Sequence, residues 1–433
     1  MDQQVSTLTV GELVRCGEAS LQTGPFGTQL SASEYVSEGI PVINVRNVGF
    51  GEVRVHDLEF ITAAKAEDLH HHVLREGDIV FGRKGAVERH ALITAEQDGW
   101  VQGSDCLRLR VNSPRVDRKF LSYYLRTQAH QDWMQALCSF GATMTSLNQG
   151  IVARIQFPLP DLFIQKKIAA ILCAYDDLIA NNQRRIALLE SMAEEIYREW
   201  FVRMRFPGAG AVVTDKGLPA GWELVPIATA LKFYGGATPA KEVARYWKEG
   251  TVQWFTPTDI TGAAGIFLDA SAERCTEEGL SSCSAKFFPA YSVMMTSRAT
   301  IGAIGINTEP ACTNQGFITC IPNDNYPLTY LYYWLKLAKP HFESLSGGAT
   351  FAELTKGTFK RIRILTPATE VVNDFEQRVR PMFDQMEALL KTNHRLKATR
   401  DALLPRLISG KLQVDQLDIQ YPPGMKAELA SAA

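Results

Sequence analysis

The sequence GATMTSLNQGIVARIQFPLP at residues 141–160 recurs as GATFAELTKGTFKRIRILTP at residues 348–367. The two blocks align without a gap, and eight of their twenty positions are identical. The offset between them is 207 residues in a chain of 433. A duplication on this scale determines the architecture, because each copy must fold as a similar structural unit. The chain is therefore predicted to contain two similar globular domains.

The segments that precede each block also correspond in character and in order. Each copy has a short β-rich run that ends in polar residues, then two apolar runs joined by a polar turn, then an aromatic helix. The paired segments are residues 39–48 and 250–260, residues 76–93 and 290–306, and residues 120–130 and 329–340. Strands and helices thus alternate within each copy, and we expect an α+β fold in which both domains are of mixed α/β character.

Each block is followed by a segment with the pattern of a long helix. The first runs from Gln165 to Phe201 without Gly or Pro, and the second runs from Phe375 onward. Apolar residues recur in both at alternating three- and four-residue steps, which indicates a coiled coil. One seam position in each helix is an asparagine, Asn182 or Asn393, and a buried Asn fixes register and partner. We predict that the helices pair as an antiparallel coiled coil with pseudo-two-fold symmetry. The alternative is that each helix packs only on its own domain.

These patterns give a predicted domain organisation. The linker is rich in Gly, Pro and small residues, and the end of the chain is expected to be flexible. The boundaries are residues 1–160 for the first globular domain, 161–206 for the first long helix, 207–220 for the linker, 221–367 for the second globular domain, 368–412 for the second long helix and 413–433 for the tail.

Composition excludes several classes of protein. The apolar fraction of 46% suits packed globular domains. The eight cysteines are scattered without a Cys-x-x-Cys pair, which argues against a zinc ribbon or a dithiol redox motif. The N-terminus has no signal-peptide pattern, and no apolar run is long enough for a membrane span. We therefore expect a cytoplasmic protein with no membrane partner. The net charge of −2 neither indicates nor excludes nucleic-acid binding, because only the contact surface must be basic.

The order and duplication of these features resemble the specificity subunits of Type I restriction–modification systems. The resemblance is carried by GATMTSLNQGIVARIQFPLPDLFIQKKIAAIL at residues 141–172 and by the second GAT block with its helix. Further similarity lies in GPFGTQL at residues 24–30 and LLPRLISGKL at residues 403–412. The second copy departs from the first at the end of the block, where ILTPATEVVNDF replaces FPLPDLFIQKKI.

The resemblance implies a function and a set of partners. The chain would be a sequence-specific DNA-binding subunit that reads a bipartite target on double-stranded DNA, one half-site per domain. It would recruit two methyltransferase subunits and nuclease/translocase subunits. S-adenosylmethionine and ATP with Mg would bind to those partners, and no cofactor would bind to this chain.

The sequence itself contains none of the motifs that those chemistries need. An Asn/Asp-Pro-Pro-aromatic motif for adenine methylation is missing. The nearest approach to a phosphate-binding loop, GDIVFGRKG at residues 77–85, has the wrong residues at the positions of its Lys and Ser/Thr. We therefore predict a non-catalytic chain with no catalytic residues.

Base readout requires Arg, Lys, Asn, Gln or hydroxyl side chains at the edge of a domain. The polar turns between apolar runs present such residues at corresponding places in the two copies. Our DNA-binding candidates are Arg46, Asn47, Arg83, Lys84, Arg89 and His90 in the first domain, and Thr258, Asp259, Ser297, Arg298 and Thr300 in the second.

The GAT blocks supply a further group of polar candidates. Their hydroxyl and amide groups suit phosphate oxygens, but the same residues are equally suited to capping the next helix. Both interpretations stay open at this point. The residues are Thr143, Ser146, Asn148, Thr350, Thr355 and Lys356.

Two other functions are compatible with parts of the sequence. The run His70–His72 suggests a metal site in a hydrolase, but neighbouring side chains point in different directions and we predict no metal ligands. The near-neutral charge also allows a coiled-coil adaptor with two heads that bind proteins or glycans. Salt-dependent DNA binding would separate that alternative from a DNA reader.

Overall fold

The computed structural model describes residues 6–139, 146–211, 214–215, 217–347, 352–422 and 425. The chain divides into two compact units. Unit 1 is formed by Met1–Leu178 and Leu396–Ala433, and unit 2 is formed by Ile179–Arg395. Unit 1 is thus built from both ends of the chain, while unit 2 is continuous.

The strands of unit 1 form two mixed sheets and one small pair. The first sheet has the strand order β2-β10-β7-β8-β5, the second has the order β3-β6-β4-β9, and β1 pairs with β11. The strands are β1 (Thr7–Thr9), β2 (Ala19–Thr23), β3 (Tyr35–Val36), β4 (Ile40–Ile43), β5 (Phe50–Gly51), β6 (Glu59–Ile61), β7 (Ile79–Gly82), β8 (His90–Leu92), β9 (Val101–Gln102), β10 (Cys106–Val111) and β11 (Gln156–Pro158).

The central strand β7 shows how the sequence specifies this arrangement. Its side chains alternate between two hydrophobic clusters, because successive residues of a strand point to opposite faces. Ile79 and Phe81 belong to one cluster, and Val80 belongs to another. A sheet buried on both faces requires a continuous apolar run, and β7 has the sequence IVFG.

Helices cover the sheets of unit 1. α3 lies in the first predicted aromatic helix. The helices are α1 (Val10–Arg15), α2 (Ala63–Asp68), α3 (Arg118–Leu125), α4 (Gln128–Ser139), α5 (Gln149–Ala153) and α6 (Leu162–Tyr197), of which α6 continues into unit 2.

Unit 2 repeats this topology. Its main sheet has the order β15-β22-β19-β20-β17, a second sheet has the order β18-β16-β21, and β14 pairs with β23. The strands are β12 (Thr214–Asp215), β13 (Leu218–Pro219), β14 (Glu223–Pro226), β15 (Phe233–Gly235), β16 (Val252–Phe255), β17 (Phe267–Leu268), β18 (Glu273–Cys275), β19 (Val293–Thr296), β20 (Ile304–Asn307), β21 (Ala311–Thr313), β22 (Phe317–Cys320) and β23 (Arg363–Thr366). The helices are α7 (Ile227–Ala230), α8 (Pro257–Thr261), α9 (Glu277–Ser281), α10 (Leu328–Leu337), α11 (Lys339–Leu345), α12 (Lys356–Arg361) and α13 (Thr369–Ile408).

The strand directions correspond as well as the strand orders. The hairpin partners β7 and β8 are antiparallel, as are β19 and β20. The edge strands β5 and β17 run parallel to β8 and β20. In the smaller sheets β4 runs parallel to β9, and β16 runs parallel to β21. The prediction of two similar α/β domains is therefore confirmed.

The long helices α6 and α13 pair with each other, as predicted. In unit 2, Asn182 donates from Nδ2 to Oδ1 of Asn393 at 2.9 Å, and both side chains are buried. Farther along α6, the ring of Tyr197 packs at 5.9 Å on Phe375, which lies near the start of α13. The helices are therefore antiparallel. The alternative, in which each helix packs only on its own domain, is wrong.

The same pairing holds in unit 1, where the beginning of α6 meets the end of α13. Ile168 and Leu172 share a hydrophobic cluster with Leu404, Leu407 and Ile408. The aromatic helix α3 joins this cluster through Phe120 and Tyr123. The domain and the helix pair thus form one core within unit 1.

The segment after α13 differs from the flexible tail that we predicted. Val414 is buried, and Lys167 donates from Nζ to the backbone oxygens of Val414, Asp415 and Leu417 at 3.3, 2.8 and 2.7 Å. A buried ammonium group requires such partners. The described part of the tail is therefore packed on α6.

The predicted linker contains short regular structure. β12 and β13 pair as a small antiparallel hairpin within it. On either side, the rings of Phe206 and Trp222 stack with their centres 5.0 Å apart. Among the described residues, no helix has both the length and the hydropathy that crossing a bilayer requires.

Candidate nucleic-acid interface

Unit 1 brings four segments together at one end of its main sheet. They are residues 23–30, 83–89, 103–105 and 146–149, and we call them the first loop cluster. The backbone N–H of Arg83 donates to the carbonyl of Asp105 at 2.8 Å. The N–H of Leu147 donates to the carbonyl of Arg83, also at 2.8 Å. The described part of the first GAT block therefore lies against the polar turn between β7 and β8.

The glycine-rich segment that follows β2 is held to the same cluster. A Cβ atom on Gly24 would lie 1.9 Å from the carbonyl oxygen of Gly103, so only glycine allows this approach without a shift of backbone. Gln149 donates from Nε2 to Oγ1 of Thr23 at 3.0 Å. Four loops that are far apart in sequence thus form one surface.

Unit 2 forms a second loop cluster from the corresponding segments, residues 235–241, 297–303, 314–316 and 352–357. The N–H of Ser297 donates to the carbonyl of Gly316 at 2.8 Å, and the N–H of Leu354 donates to the carbonyl of Ser297 at 2.9 Å. A Cβ atom on Gly236 would lie 2.0 Å from the carbonyl oxygen of Asn314. These contacts repeat those of the first loop cluster.

Each cluster carries an exposed basic side chain in an ion pair. Lys84 lies 3.1 Å from Asp105, and Arg298 lies 2.9 Å from Glu353. All four side chains are at least 35% exposed. Exposed pairs of this kind contribute at most about 1 kcal/mol. A phosphate group or a base edge can therefore compete for either cation.

The turn in unit 2 is also held in an uncommon backbone conformation. Ala299 has φ of +58°, which is unfavourable for a residue with a Cβ atom. Its N–H donates to the carbonyl of Ala352 at 3.2 Å, which anchors the turn to the second GAT block. Such conformations are often found at functional sites, where the surroundings maintain them.

Comparisons with known proteins identify the duplicated fold. A family model described as "Type I restriction modification DNA specificity domain" matches residues 28–191 and again residues 219–399. Together the two matches cover well over half of the chain. The chain belongs to this family of specificity subunits.

Individual relatives agree with the family assignment. The chain is 24% identical over 396 residues to the putative type I restriction enzyme MjaX specificity subunit of Methanocaldococcus jannaschii, covering 87% of this chain and 88% of the relative. It is 22% identical to the type I restriction enzyme HindI specificity subunit of Haemophilus influenzae, covering 78% and 87%. Its fold is similar to that of a Type-I restriction-modification S subunit from M. genitalium, with a TM-score of 0.55 at 16% identity over 94% and 97% of the two chains.

Several predicted DNA-binding residues are accessible in this specificity-subunit fold. Arg83 and Arg89 are half-buried: Arg83 donates from Nε to the carbonyl of Leu147 at 3.4 Å, and Arg89 packs over the ring of Phe50. The exposed candidates are Arg46, Lys84, Ser146, Asn148, Thr258, Arg298, Thr300, Thr355 and Lys356.

The residues after β4 and β16 adjoin the same clusters but are more strongly engaged within the protein. Arg46 is 2.9 Å from Glu59 and donates to the carbonyl of Asp57. Asp259 accepts hydrogen bonds from the backbone N–H groups of Thr256 and Ala272 at 2.6 and 2.8 Å. Asp259 therefore acts as a structural capping residue in this conformation.

Three candidates are buried, and the structure argues against them as base readers. Asn47 is fully buried and donates from Nδ2 to the carbonyls of Arg54 and His56, each at 3.0 Å. His90 is 1% exposed and its Nε2 lies 2.9 Å from Oγ of Ser122. Ser297 is 3% exposed. Nδ2 of Asn47 and Nε2 of His90 thus bond to groups inside the domain, and the sequence pattern of a polar turn does not reveal these contacts.

Burial also determines the charge state of His90. Desolvation, together with the nearby charge of Arg126, holds the pKa of His90 well below its usual value. The imidazole is therefore neutral at physiological pH. A neutral, buried ring gives no electrostatic attraction for phosphate.

The GAT blocks contribute helix caps. Asn148 accepts from the N–H of Ile151 at 3.0 Å at the start of α5, and Thr355 accepts from the N–H of Thr358 at 3.1 Å at the start of α12. The capping interpretation is therefore confirmed for both side chains. Thr143 and Thr350 lie outside the described residues.

The histidine run forms a short helical turn, His70–His72, in unit 1. The ring centres of His70 and His71 lie 3.9 Å apart with their planes tilted by 44°, while His72 is buried. Desolvation lowers the pKa of His72, with a smaller effect from Arg108. These side chains thus have separate environments.

Some exposed side chains of the clusters were not among the predicted residues. Phe26 is 67% exposed in the glycine-rich loop of the first cluster. Gln149 in the first cluster and Gln315 in the second are also exposed. Residue type alone did not place these side chains in the clusters, because their position depends on which loops meet at the end of the sheet.

Proposed function

We propose that this chain is the DNA-reading subunit of a Type I restriction–modification complex, and that its two domains read the two halves of a bipartite target. The observation that carries the proposal is the pair of loop clusters, built on the same topology but bearing different side chains. The common scaffold suits a common ligand, the duplex, while the different side chains suit different base sequences.

The chemistry of the complex is proposed to reside in its partners. Two methyltransferase subunits would bind S-adenosylmethionine, and nuclease/translocase subunits would use ATP with Mg. The support is the family membership of the chain and the lack of the corresponding motifs in its sequence. The paired helices α6 and α13 would then serve as a scaffold for these subunits.

The test is the methylation pattern of the assembled complex. The chain is co-expressed with a methyltransferase subunit from the same genome, and the complex is incubated with a library of randomised duplexes. Sequencing of the methylated molecules is expected to return two short specific elements separated by a non-specific spacer. A single continuous element would contradict bipartite reading. Methylation without sequence preference, or a complex that does not bind DNA, would favour the protein- or glycan-binding adaptor instead.

A further inference from the structure

Gln315 belongs to the second loop cluster. Its Oε1 accepts a hydrogen bond from Oγ1 of Thr238 at 2.6 Å. Thr238 belongs to the loop after β15, and Gln315 belongs to the turn between β21 and β22. The side chain of Gln315 is exposed, and its Nε2 makes no hydrogen bond within the part of the chain that the structure describes. The amide is therefore oriented by one neighbour while its donor group faces solvent.

The loop that carries Thr238 is fixed by two tryptophans. Trp254 donates from Nε1 to the carbonyl of Ala237 at 3.0 Å, and Trp247 donates from Nε1 to the carbonyl of Ala240 at 3.1 Å. The ammonium group of Lys241 lies 3.6 Å from the ring centre of Trp247 and 4.4 Å from that of Trp254. The two tryptophans thus hold both ends of the five-residue loop 237–241.

The turn that carries Gln315 is equally constrained. The N–H of Asn314 donates to the carbonyl of Phe255 at 3.0 Å, and Oδ1 of Asn314 accepts from the N–H of Gly316 at 2.9 Å. The residues on either side of Gln315 are thus both held by hydrogen bonds. A side chain on such a rigid turn loses little conformational freedom when it binds, so less of the binding free energy is lost to ordering.

An oriented carboxamide has the donor and acceptor pattern that matches adenine. Its oxygen accepts from N6–H and its nitrogen donates to N7 in the major groove. From this geometry we propose that Gln315 reads an adenine in the half-site of unit 2, and that Thr238 positions it. This inference rests on the proposed function, which it extends to one base and one side chain.

The corresponding place in unit 1 carries different chemistry. Gln315 stands two residues before β22, and the residue two before β10 is Ser104. A single hydroxyl does not offer the paired donor and acceptor of an amide. The two domains therefore present different reading groups on the same turn, as an asymmetric target requires.

The test compares variants in the assembled methyltransferase complex. Gln315→Ala is expected to reduce discrimination for adenine at one position of one half-site roughly tenfold. Gln315→Glu is expected to lose the same discrimination, because a carboxylate cannot donate to N7. The matched control is Asn325→Ala, an exposed amide beyond the other end of β22. Its methylation motif is expected to equal that of the wild type.

Thr238 variants separate positioning from folding. Thr238→Val removes the hydroxyl and is expected to weaken discrimination at the same position, while Thr238→Ser keeps the hydroxyl and is expected to restore it. If Gln315→Ala leaves every position unchanged while Arg298→Ala alters the half-site, the adenine assignment is overturned and the proposed function stands. Loss of selectivity at a position that is not adenine overturns the assignment too. If the wild-type complex methylates without preference, the proposed function itself fails.

Discussion

Arg83 is anchored at the first loop cluster by the carbonyl of Leu147, while its half-exposed guanidinium remains close to the cluster surface. We predict that Arg83→Ala relaxes recognition in one half-site and leaves the other unchanged. A bidentate contact to guanine is worth about 1–3 kcal/mol, so the affinity for the cognate duplex should fall at least fivefold. Fluorescence anisotropy with cognate and substituted duplexes measures the effect.

The first unit offers a matched control for this arginine. Arg115 is 47% exposed and pairs with Glu18 at the opposite end of β2 and β10. Arg115→Ala is expected to leave both half-sites intact. An equal loss in the two variants would mean that general positive charge, not position in the loop cluster, supports binding.

The ion pair between Arg298 and Glu353 predicts the effect of removing the negative charge of Glu353. Glu353→Gln frees Arg298 from a partner 2.9 Å away. Because the freed guanidinium no longer has to break an ion pair before it meets the DNA, we expect a modest rise in affinity that diminishes as salt increases. Titrations at two ionic strengths test this. Unchanged affinity at low salt would show that Arg298 does not contact the duplex.

The interface between the helices α6 and α13 contains a buried polar pair, Asn182 and Asn393. Replacing both Asn182 and Asn393 by leucine should raise the melting temperature, since a buried polar pair is replaced by apolar packing. Asn182→Leu alone should destabilise the protein by about 1–3 kcal/mol, because the buried Oδ1 of Asn393 loses the hydrogen bond from Asn182. Thermal unfolding of the four combinations provides a double-mutant cycle. A coupling free energy near zero would contradict the pairing.

A second element-scale prediction concerns the ion network of α6 and α13 in unit 1. Burial alone would raise the pKa of Asp176, but Arg126, 2.8 Å away, and Arg400 outweigh it and hold the pKa below its usual value. The tyrosine hydroxyl of Tyr123 also donates to Asp176 at 2.7 Å. A carboxylate with a lowered folded-state pKa stabilises the protein above its unfolded pKa, near 3.9, and the contribution is lost as pH falls through the folded value.

Asp176→Asn should therefore lower the free energy of unfolding at neutral pH by about 2 kcal/mol. The difference between variant and wild type should shrink as the pH falls below about 4. Urea unfolding at several pH values measures it. A difference that stays constant with pH would show that the carboxylate charge is not responsible.

The elements themselves were predictable because their signals are local. Both hairpins, both aromatic helices and the helix pair follow from periodicity and from the duplicated block. The burial of Asn47 and His90 could not be predicted, because it depends on which strands cover them. The capping role of Asn148 and Thr355 could only be stated as one of two possibilities, since a hydroxyl or amide near a glycine turn suits a phosphate and a helix end equally well.

For the whole molecule, the duplicated loop clusters predict a steep salt dependence of DNA binding. Each phosphate that the protein neutralises releases counterions, so the logarithm of affinity should fall linearly with the logarithm of salt concentration. Lys84→Ala should reduce the slope by about one phosphate equivalent if Lys84 binds backbone. Gel-shift assays over a roughly fourfold range of salt concentration, from about 50 to about 200 mM, measure this slope. An affinity independent of salt would favour the adaptor alternative.

The sequence predicted the duplication of the chain but not how the chain is divided. A linear reading assigns each long helix to the domain before it. Instead, residues from both ends of the chain complete the core of unit 1, where Lys167 and Val414 meet. The packing of residues 413–422 has no periodic signature, because it depends on carbonyl groups that solvate one buried ammonium.

This interleaving has a consequence for synthesis on the ribosome. Leu404, Leu407 and Ile408 belong to the same cluster as Ile168 and Leu172, yet they are translated well over two hundred residues later. At about 5–20 residues per second, the N-terminal unit waits on the order of 10–50 s with an uncovered apolar surface before its last helix emerges. We expect chaperones to protect this surface of the nascent chain from aggregation until translation ends.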